Sequence, residues 1–236
     1  MQPTSVIGHR GACGYAPENT LASIETAARL GLLVVEFDVK LAADGTPFVI
    51  HDDTLERTTG ASGSVAEATA EELAALDAGS WFDDAFAGEP IPTLGAVLDR
   101  CDALGLEAIC EIKPCPGVES ETGRVVARAV AERGRHSVSS FSTTTLGAAL
   151  AAAPDVPRAL LVVILPGRWD SVARELKCES VHVWAGSLTV AAIDSVKNTG
   201  RSLCAYTVND PERARFLVET GVDAVFSDRP DRVLAS

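Results

Sequence analysis

Short apolar runs alternate with amphipathic helical segments along almost the whole chain, and this alternation restricts the possible folds more than any other feature. The apolar runs predict strands at residues 5–8, 32–39, 107–112, 137–141, 158–163, 180–184, 202–207 and 223–227. Helical patterns predict helices at residues 21–30, 94–104, 121–133, 143–153, 169–176, 189–198 and 210–220. Eight strands with intervening helices in a chain of 236 residues predict an α/β fold, the (β/α)8 TIM barrel.

A doubly wound open sheet is the rival fold, because it is built from the same alternating units. An open sheet collects its functional residues at one switch point, whereas a barrel collects them from the carboxyl ends of many strands. Conspicuous polar residues recur at such strand ends here: His9, Glu36, Asp38, Glu111, Lys113, Tyr206 and Asn209. Their distribution favours the barrel. No linker, repeat or low-complexity segment divides the sequence, so residues 1–236 are predicted to form one domain.

One connection is much longer than the others. About forty residues, at positions 52–92, lie between the second strand region and the helix at 94–104, and they are rich in Thr, Gly, Ala and acidic residues. Because ordinary strand–helix connections are far shorter, this segment is interpreted as an insertion after strand 2 that carries function. One helix is possible within it, at residues 67–76.

The second strand contains two acidic residues in an apolar run. Glu36 and Asp38 are two positions apart, and strand side chains alternate between faces, so both carboxylates should point to the same side. Two carboxylates on one buried face repel each other unless a cation or a shared proton offsets the cost. The chain then turns at Asp44-Gly45 and leads through a second apolar run to His51, which places an imidazole beside the acids.

In a barrel, the first three strands would bring acidic, basic and imidazole side chains to one mouth. Three carboxylates with open positions form an all-oxygen site, which suits one divalent cation, Mg²⁺ or Ca²⁺. Arginine and lysine add positive charge for phosphate oxygens, and two histidines can move protons near neutral pH. The pattern therefore predicts metal-assisted phosphoryl chemistry by His9, Arg10, Glu36, Asp38, His51, Glu111 and Lys113.

A structural alternative stays open for the charged residues. Carboxylates on strands commonly form ion pairs, so Glu36 could hold Arg10 and Glu111 could hold Lys113 in a salt-bridge layer. The two nearby histidines favour the catalytic interpretation. The other two histidines, His136 and His182, are interpreted as hydrogen-bonded or surface residues rather than ligands.

Charge and composition argue against nucleic-acid binding, secretion and membrane insertion. The formal net charge of −13 argues against nucleic acid, whose phosphates attract basic surfaces. Six cysteines without C-x-x-C spacing are expected to be reduced and mostly buried. The first residues lack the pattern of a signal peptide, and the longest apolar run, at 159–165, is too short for a membrane span. The expectation is a soluble, cytoplasmic protein without membrane insertion, and its oligomeric state stays open.

Several motifs in the sequence strongly resemble those of the glycerophosphodiester phosphodiesterase family, in particular its short cytosolic bacterial members. The resemblance covers nearly the whole chain, and the motifs together are highly specific although each alone is weak. They are His9-Arg10-Gly11, Pro17-Glu18-Asn19-Thr20, Glu36-Phe37-Asp38-Val39, His51-Asp52-Asp53, Leu55-Glu56-Arg57-Thr58-Thr59, Glu111-Ile112-Lys113-Pro114, Ser140-Phe141, Tyr206-Thr207-Val208-Asn209 and Ser227-Asp228-Arg229-Pro230.

This resemblance implies a (β/α)8 barrel that splits glycerophosphodiesters, such as glycerophosphocholine or glycerophosphoethanolamine, into glycerol 3-phosphate and an alcohol. It implies metal ligands at Glu36, Asp38 and Glu111, catalysis by His9 and His51, and phosphate contacts from Arg10 and Lys113. Analogy with related lipases suggests His9 as base and His51 as acid. The sequence departs from many relatives at Tyr206, where they have Trp. A phospholipase-like lyase that releases a cyclic phosphate and a non-catalytic phosphate-binding scaffold are the alternatives.

Overall fold

The computed structural model describes residues 5–235, which contain a closed barrel of eight parallel strands surrounded by helices. Strand β1 (Val6–Gly8) pairs with both β2 (Val34–Leu41) and β9 (Ala224–Ser227), through Ile7 to Val34 on one side and Ile7 to Phe226 on the other, and these pairings close the barrel. The predicted TIM barrel is therefore confirmed. The barrel strands are β1 Val6–Gly8, β2 Val34–Leu41, β4 Glu107–Ile112, β5 Ser137–Ser140, β6 Arg158–Val162, β7 Ser180–Trp184, β8 Ser202–Tyr206 and β9 Ala224–Ser227.

Helices follow the strands at nearly the predicted positions. They are α1 Leu21–Arg29, α4 Leu94–Leu104, α5 Glu119–Ala131, α6 Thr143–Ala152, α7 Trp169–Glu175, α8 Val190–Lys197, α9 Pro211–Thr220 and a final α10 Pro230–Leu234. Most bounds differ from the predicted ones by one or two residues, whereas α10 was not predicted. Serine, threonine or aspartate side chains cap the first turns of α1, α4, α6, α8 and α9, which explains where these helices begin.

A short hairpin precedes the long connection. β3, at Pro47–Val49, pairs antiparallel with the end of β2. Short helices α2 at Glu56–Thr59 and α3 at Ala70–Ala74 follow, and α3 is shorter than the predicted helix at 67–76 because a capping box starts it at Thr69. The hairpin and the long connection share an apolar cluster, made of Ala42, Phe48, Ile50, Leu55, Val65, Leu73, Ala78 and Ile91. We propose on this basis that residues 52–92 are an insertion in one barrel domain.

Alternation along β2 decides what faces the inside of the barrel. Val35, Phe37 and Val39 belong to the large apolar core, together with residues of the surrounding helices. Glu36 and Asp38 therefore point into the barrel, as predicted. A smaller apolar cluster of barrel residues comprises Ile7, Ile109, Cys204, Ala224 and Phe226.

All six cysteines are free thiols; five are buried and Cys13 is half-buried. Between residues 5 and 235, no helix combines the length and the apolar composition that a membrane crossing requires.

Candidate active site

The turn after β1 carries His9 and Arg10, and two glycines permit its shape. A Cβ atom on Gly8 would lie 2.4 Å from the carbonyl oxygen of Gly11, so the chain crosses itself too closely for a side chain. Gly11 has a φ of +82°, and a Cβ there would lie 2.3 Å from Ser23 Oγ. The Ser23 hydroxyl also donates to the Arg10 carbonyl at 2.7 Å. Helix α1 thus holds this turn at the mouth of the barrel.

Three carboxylates lie together at the ends of β2 and β4. Asp38 and Glu111 are paired in register across these strands, and Glu36 lies one inward-facing position deeper. One oxygen of each carboxylate lies within 4.8 Å of those of the other two, and all three residues are buried. The three residues predicted from the sequence to hold a metal are therefore adjacent in space.

Burial and mutual repulsion shape the protonation of this cluster. Burial and the neighbouring charges of Asp38 and Glu111 raise the pKa of Glu36 well above its usual range. Burial and the charge of Asp38 raise the pKa of Glu111 to about 7. For Asp38, burial raises the pKa, but the charges of Arg10 and Lys113, the neighbouring His51 ring and the hydrogen bond from Asn19 outweigh burial and lower it. Asp38 is therefore the most readily ionised member of the cluster.

The cluster fits a divalent cation. Glu36 Oε1 and Glu111 Oε1 are fully buried, and within residues 5–235 neither accepts a hydrogen bond, since the Lys113 ammonium pairs with Glu111 Oε1 only at 3.6 Å. Unpartnered buried carboxylate oxygens are costly, and a bound cation offsets that cost. An all-oxygen donor set also suits a hard cation such as Mg²⁺ or Ca²⁺.

Asn19 holds Asp38 rather than capping α1. The sequence predicts that either Asn19 or Thr20 caps α1, and the structure shows the Thr20 side chain accepting from Ser23 N. Asn19 instead has a left-handed φ of 61° and donates from Nδ2 to Asp38 Oδ2 at 2.9 Å. Its Oδ1 accepts from the backbone N–H of Asp38 at 3.1 Å. Asn19 thus fixes Asp38 from both sides.

Arg10 lies between two carboxylates. Its Nε is 3.3 Å from Asp38 Oδ2, and its NH1 group donates to Glu18 Oε1 at 2.7 Å. The Arg10 backbone N–H, rather than its guanidinium, hydrogen-bonds Glu36, at 3.1 Å. The simple pairing of Arg10 with Glu36 that a salt-bridge layer would require is therefore not the one found.

His9 is oriented by the last strand of the barrel. His9 Nδ1 lies 2.6 Å from Asp228 Oδ1. Asp228 also accepts hydrogen bonds from Asn209 Nδ2 at 2.7 Å and from the Cys13 thiol at 3.0 Å. Burial raises the pKa of Asp228, but the bonds from His9, Cys13 and Asn209 outweigh it and hold the pKa well below its usual range. His9 Nε2 is thereby the ring nitrogen left for the substrate.

His51 lies between a carboxylate and an ammonium group. Its Nδ1 is 2.6 Å from Asp52 Oδ1, and its Nε2 is 2.8 Å from Lys113 Nζ. Because the lysine ammonium can only donate, Nε2 accepts and Nδ1 carries the proton that is donated to Asp52. Burial lowers the pKa of His51, and Arg10 and Lys113 lower it further against the opposing effect of Asp38.

An ionic chain connects His51 to Arg10 through the insertion. Arg57, in α2, donates from Nε to Asp52 Oδ2 at 2.6 Å and from NH1 to Glu18 Oε2 at 2.8 Å. Glu18 in turn accepts from Arg10. The hydrogen bond from Arg57 is the main cause of the strongly lowered pKa of Asp52. The insertion thus supports both His51 and Arg10.

The structure brings all seven predicted site residues to one mouth. Lys113 Nζ lies 3.8 Å from Asp38 Oδ1 and 3.6 Å from Glu111 Oε1, and a small cavity of about 30 Å³ is lined in part by His9, Glu36 and Glu111. Sequence reasoning assigned no supporting role in the site to the residues that hold them: Glu18, Asn19, Asp52, Arg57, Asn209 and Asp228. Every one of these lies in a motif that carries the family resemblance, and those motifs were the available signal.

The two remaining histidines are both buried. His136 Nδ1 accepts from the backbone N–H of Ala108 at 3.0 Å, which agrees with the predicted hydrogen-bonded role. His182 lies inside the barrel and lines the same small cavity as His9, so it is not a surface residue. Burial lowers the pKa of His182 to about 3, which keeps its ring neutral.

Comparisons with known proteins agree with this geometry. The model of the glycerophosphoryl diester phosphodiesterase family matches residues 9–232. The chain is 37% identical to the YhdW protein of Bacillus subtilis (strain 168), over 97% of this chain and 96% of that protein. It is 34% identical to a glycerophosphodiester phosphodiesterase of Caldanaerobacter subterraneus subsp. tengcongensis, over 98% of this chain and 96% of that enzyme. An Oleispira antarctica phosphodiesterase, solved in complex with the product sn-glycerol-3-phosphate, superposes with a TM-score of 0.94 at 36% identity, covering 98% of this chain and 95% of that chain.

Proposed function

Because the chain belongs to the glycerophosphoryl diester phosphodiesterase family and is an enzyme of that family, we propose that it hydrolyses deacylated phospholipid headgroup diesters with the help of a divalent cation. The products are glycerol 3-phosphate and an alcohol, and the substrates include glycerophosphocholine and glycerophosphoethanolamine. The observation that carries this proposal is the joint placement of three carboxylates, two aspartate-backed histidines and two cationic side chains at one mouth.

Glu36, Asp38 and Glu111 are the proposed ligands of the cation. When bound, a Mg²⁺ or Ca²⁺ ion would neutralise the phosphate and polarise its P–O bonds. Lys113 and Arg10 are the proposed phosphate contacts, because each presents a cationic group within 4 Å of the carboxylate cluster. Their charges would also offset the negative charge that develops on the phosphoryl oxygens.

His9 is the proposed general base. Asp228 holds its ring through Nδ1, so Nε2 can take a proton from a hydroxyl group in the mouth. We propose that this hydroxyl is the glycerol C2 hydroxyl, which then attacks the phosphorus within the same molecule and forms a cyclic phosphate that water opens. Intramolecular attack has the entropy advantage of a nucleophile that is already held in place.

His51 is the proposed general acid for the leaving alcohol. Asp52 stabilises its protonated ring through Nδ1, whereas Lys113 occupies Nε2 in the present structure. An anionic phosphodiester would attract Lys113 and favour a proton on Nε2. The proton would then pass from Nε2 to the departing oxygen.

The most direct test is the release of glycerol 3-phosphate from glycerophosphocholine in the presence of Mg²⁺ or Ca²⁺. We expect turnover that a chelator abolishes and that added cation restores. No release with any headgroup or cation would refute the proposed reaction. Accumulation of the cyclic phosphate as the final product would instead identify the lyase alternative.

A substrate analogue separates the two routes of attack. Replacing the C2 hydroxyl by hydrogen removes the intramolecular nucleophile and leaves the phosphodiester unchanged. We expect almost no turnover of this analogue by the cyclic route. Turnover close to that of the parent diester would show direct attack by water and would exclude the cyclic intermediate.

A further inference from the structure

A second cavity opens beside the catalytic mouth, between the carboxyl ends of β4 and β5. It has a volume of about 360 Å³, and its lining includes Glu111 and Lys113, which also belong to the mouth. A phosphate held at Lys113 would therefore direct one of its two alcohols into this cavity. His51, the proposed acid for the leaving alcohol, lies on the same side, because its Nε2 is 2.8 Å from Lys113 Nζ. The leaving alcohol is the group that this cavity would receive.

One wall of the cavity is a fixed aromatic ring. Phe141 lines the cavity and is 46% exposed, which is unusual for a large apolar side chain. Its backbone is held on both sides, because Ser140 Oγ donates to the Ile112 carbonyl at 2.6 Å and accepts from Ser142 N at 3.1 Å. The Phe141 ring also packs edge to face on Tyr206, with 6.0 Å between the centroids. The exposed ring surface is thus held in one orientation.

The charged lining of this cavity comprises three carboxylates, of Asp53, Glu111 and Glu119, and two ammonium groups, of Lys113 and Lys40. Glu111 and Lys113 belong to the catalytic mouth, and the Lys40 ammonium is almost fully buried. That ammonium already donates to Asp53 Oδ1 at 2.5 Å and to the Lys113 carbonyl at 3.1 Å. Among residues 5–235, no lysine, arginine or histidine forms a salt bridge with Glu119, whose carboxylate accepts hydrogen bonds from its own backbone N–H and from Gly117 N, the latter at 3.2 Å. Glu119 is therefore a carboxylate without a cationic side-chain partner, and it lines the same cavity as the exposed aromatic ring.

We propose that this cavity is a headgroup subsite that selects cationic amino alcohols, with Phe141 contacting the ammonium group and Glu119 supplying its counter-charge. This inference rests on the proposed function and names the substrate class that the same site favours. An aromatic face attracts an ammonium group, quaternary ammonium included, through its quadrupole, and a nearby carboxylate adds Coulomb attraction. Diesters of choline and ethanolamine would then be preferred over diesters of neutral polyols such as glycerol.

The decisive experiment uses two diesters of the same shape. Glycerophosphocholine carries a quaternary nitrogen, and the glycerophosphodiester of 3,3-dimethylbutanol carries a neutral carbon in its place. We expect the wild-type protein to prefer the choline diester by about tenfold in kcat/KM, which is the magnitude that one cation–π contact and one half-exposed ion pair give together. The preference should lie mainly in KM and should shrink as the salt concentration rises.

Variants assign the preference to the proposed residues. Glu119→Gln keeps the hydrogen-bond acceptor and removes the charge, and Phe141→Leu keeps an apolar side chain and removes the aromatic face. Each should lower the preference to about threefold by raising KM for the choline diester alone. Glu121→Gln is the matched control, because it removes the same charge two positions along α5, where Glu121 pairs with Arg124 outside the cavity. It should leave the preference unchanged.

The outcomes separate this inference from the proposed function. Release of glycerol 3-phosphate from neither diester would overturn the proposed function. Equal kcat/KM values for both diesters in the wild-type protein would overturn only the subsite. A preference that Glu119→Gln and Glu121→Gln lower equally, or that neither lowers, would also overturn the subsite, because the charge would then act from elsewhere.

Discussion

The two histidines of the mouth have the same local arrangement, but different parts of the chain support them. Each has Nδ1 at 2.6 Å from an aspartate Oδ1, which belongs to Asp228 for His9 and to Asp52 for His51. Asp228 is 219 positions away from His9, whereas Asp52 directly follows His51. The first pair exists because β1 and β9 close the barrel, and the second pair is supplied by the local chain.

The surroundings of the two aspartates also differ in charge. The other partners of Asp228 are neutral, an amide and a thiol. Asp52 belongs to an ionic chain that runs through Arg57 and Glu18 to Arg10. A substitution of Asp228 should therefore change only the function of His9. A substitution of Asp52 should change the function of His51 and also substrate binding at the proposed phosphate site.

Alanine substitutions of the two histidines test the comparison with the largest expected effects. His9→Ala and His51→Ala should each lower kcat/KM for glycerophosphocholine by about 100- to 10,000-fold, the usual contribution of general acid–base catalysis. A nitrophenyl leaving group departs without a proton, so it should restore most of the activity of His51→Ala and none of that of His9→Ala. The measurement is the rate of nitrophenolate release from the glycerophosphodiester of nitrophenol.

Equal losses in both variants on the nitrophenyl diester would contradict the assignment of roles. Rescue of His9→Ala alone would reverse it. Circular dichroism of both variants serves as the control for folding.

The carboxylate cluster is common to the two proposed proton transfers, so a change there should not distinguish His9 from His51. Glu111→Gln removes one of three anionic ligands and should lower cation affinity by about 10- to 100-fold, which is our estimate for one weakened ligand. Activity at limiting cation should fall by the same factor for choline and nitrophenyl diesters. Cation binding followed by calorimetry measures the affinity directly. Wild-type cation affinity in Glu111→Gln would contradict the three-carboxylate site.

The raised pKa of Glu111 predicts that the stability of the cation-free protein depends on pH. Burial and Asp38 raise the pKa of Glu111 to about 7, above its ordinary value of 4.5. Folding therefore favours the protonated form, and this contribution to stability is present below pH 4.5 and is lost as the pH rises through about 7. We expect the Tm of the cation-free wild-type protein to fall over this range and to fall less in Glu111→Gln. Equal slopes in both proteins would show that Glu111 does not carry the effect.

Asparagine substitutions of Asp228 and Asp52 test whether the two aspartates support their histidines in different ways. Asp228→Asn and Asp52→Asn should each lower kcat about 10- to 100-fold on glycerophosphocholine, which is part of the acid–base contribution. With the nitrophenyl diester as substrate, Asp52→Asn should regain most of its lost kcat, whereas Asp228→Asn should not. Asp52→Asn should in addition raise KM, because its ionic chain ends at Arg10, and Asp228→Asn should leave KM unchanged. Equal kcat and KM values of the two variants on both substrates would contradict the proposed difference between Asp228 and Asp52.

The smallest expected effect comes from the ionic chain itself. Arg57→Ala breaks the connection between Asp52 and Glu18 and should raise KM about two- to fivefold, because ion pairs of half-exposed side chains contribute little. Arg124→Ala is the control, since Arg124 is similarly exposed and, among residues 5–235, forms its salt bridge with Glu121 alone, near the start of α5. High salt should reduce the effect of Arg57→Ala. Equal KM values for Arg57→Ala and Arg124→Ala would exclude a role of this ionic chain in substrate binding.

The sequence alone was sufficient for the parts of the protein that depend on local periodicity. The eight apolar runs predict the strands, and their alternation with helices predicts the barrel. Glu36 and Asp38 could be assigned to one face because the period of a strand is two residues, whatever surrounds it. The ends of the strands then indicate which side chains reach the mouth. Motifs that resemble a known family assigned roles to seven of these side chains.

Local competition explains where the predictions were incomplete. Asn19 and Thr20 are both suitable capping residues, so the sequence could not choose between them. The structure chooses Thr20 because Asn19 is drawn to Asp38 by two hydrogen bonds. The side chains of Ser180, His182 and Trp184 lie on the same face of β7. Only the closure of the barrel decides that this face, with His182, points inward.

Only the tertiary structure decided which residues support the two histidines and what lies beside the mouth. Asp228 meets His9 because the barrel closes, and Arg57 meets Glu18 across 39 positions because the insertion contacts the loop before α1. Phe141, directly after β5, lines the same cavity as Glu119, the first residue of α5, because β4 and β5 are neighbours in the barrel. Spacing along the chain carries no information about such pairs. Side-chain periodicity is a property of a few consecutive residues, whereas these contacts arise when strands far apart in sequence are joined in one ring.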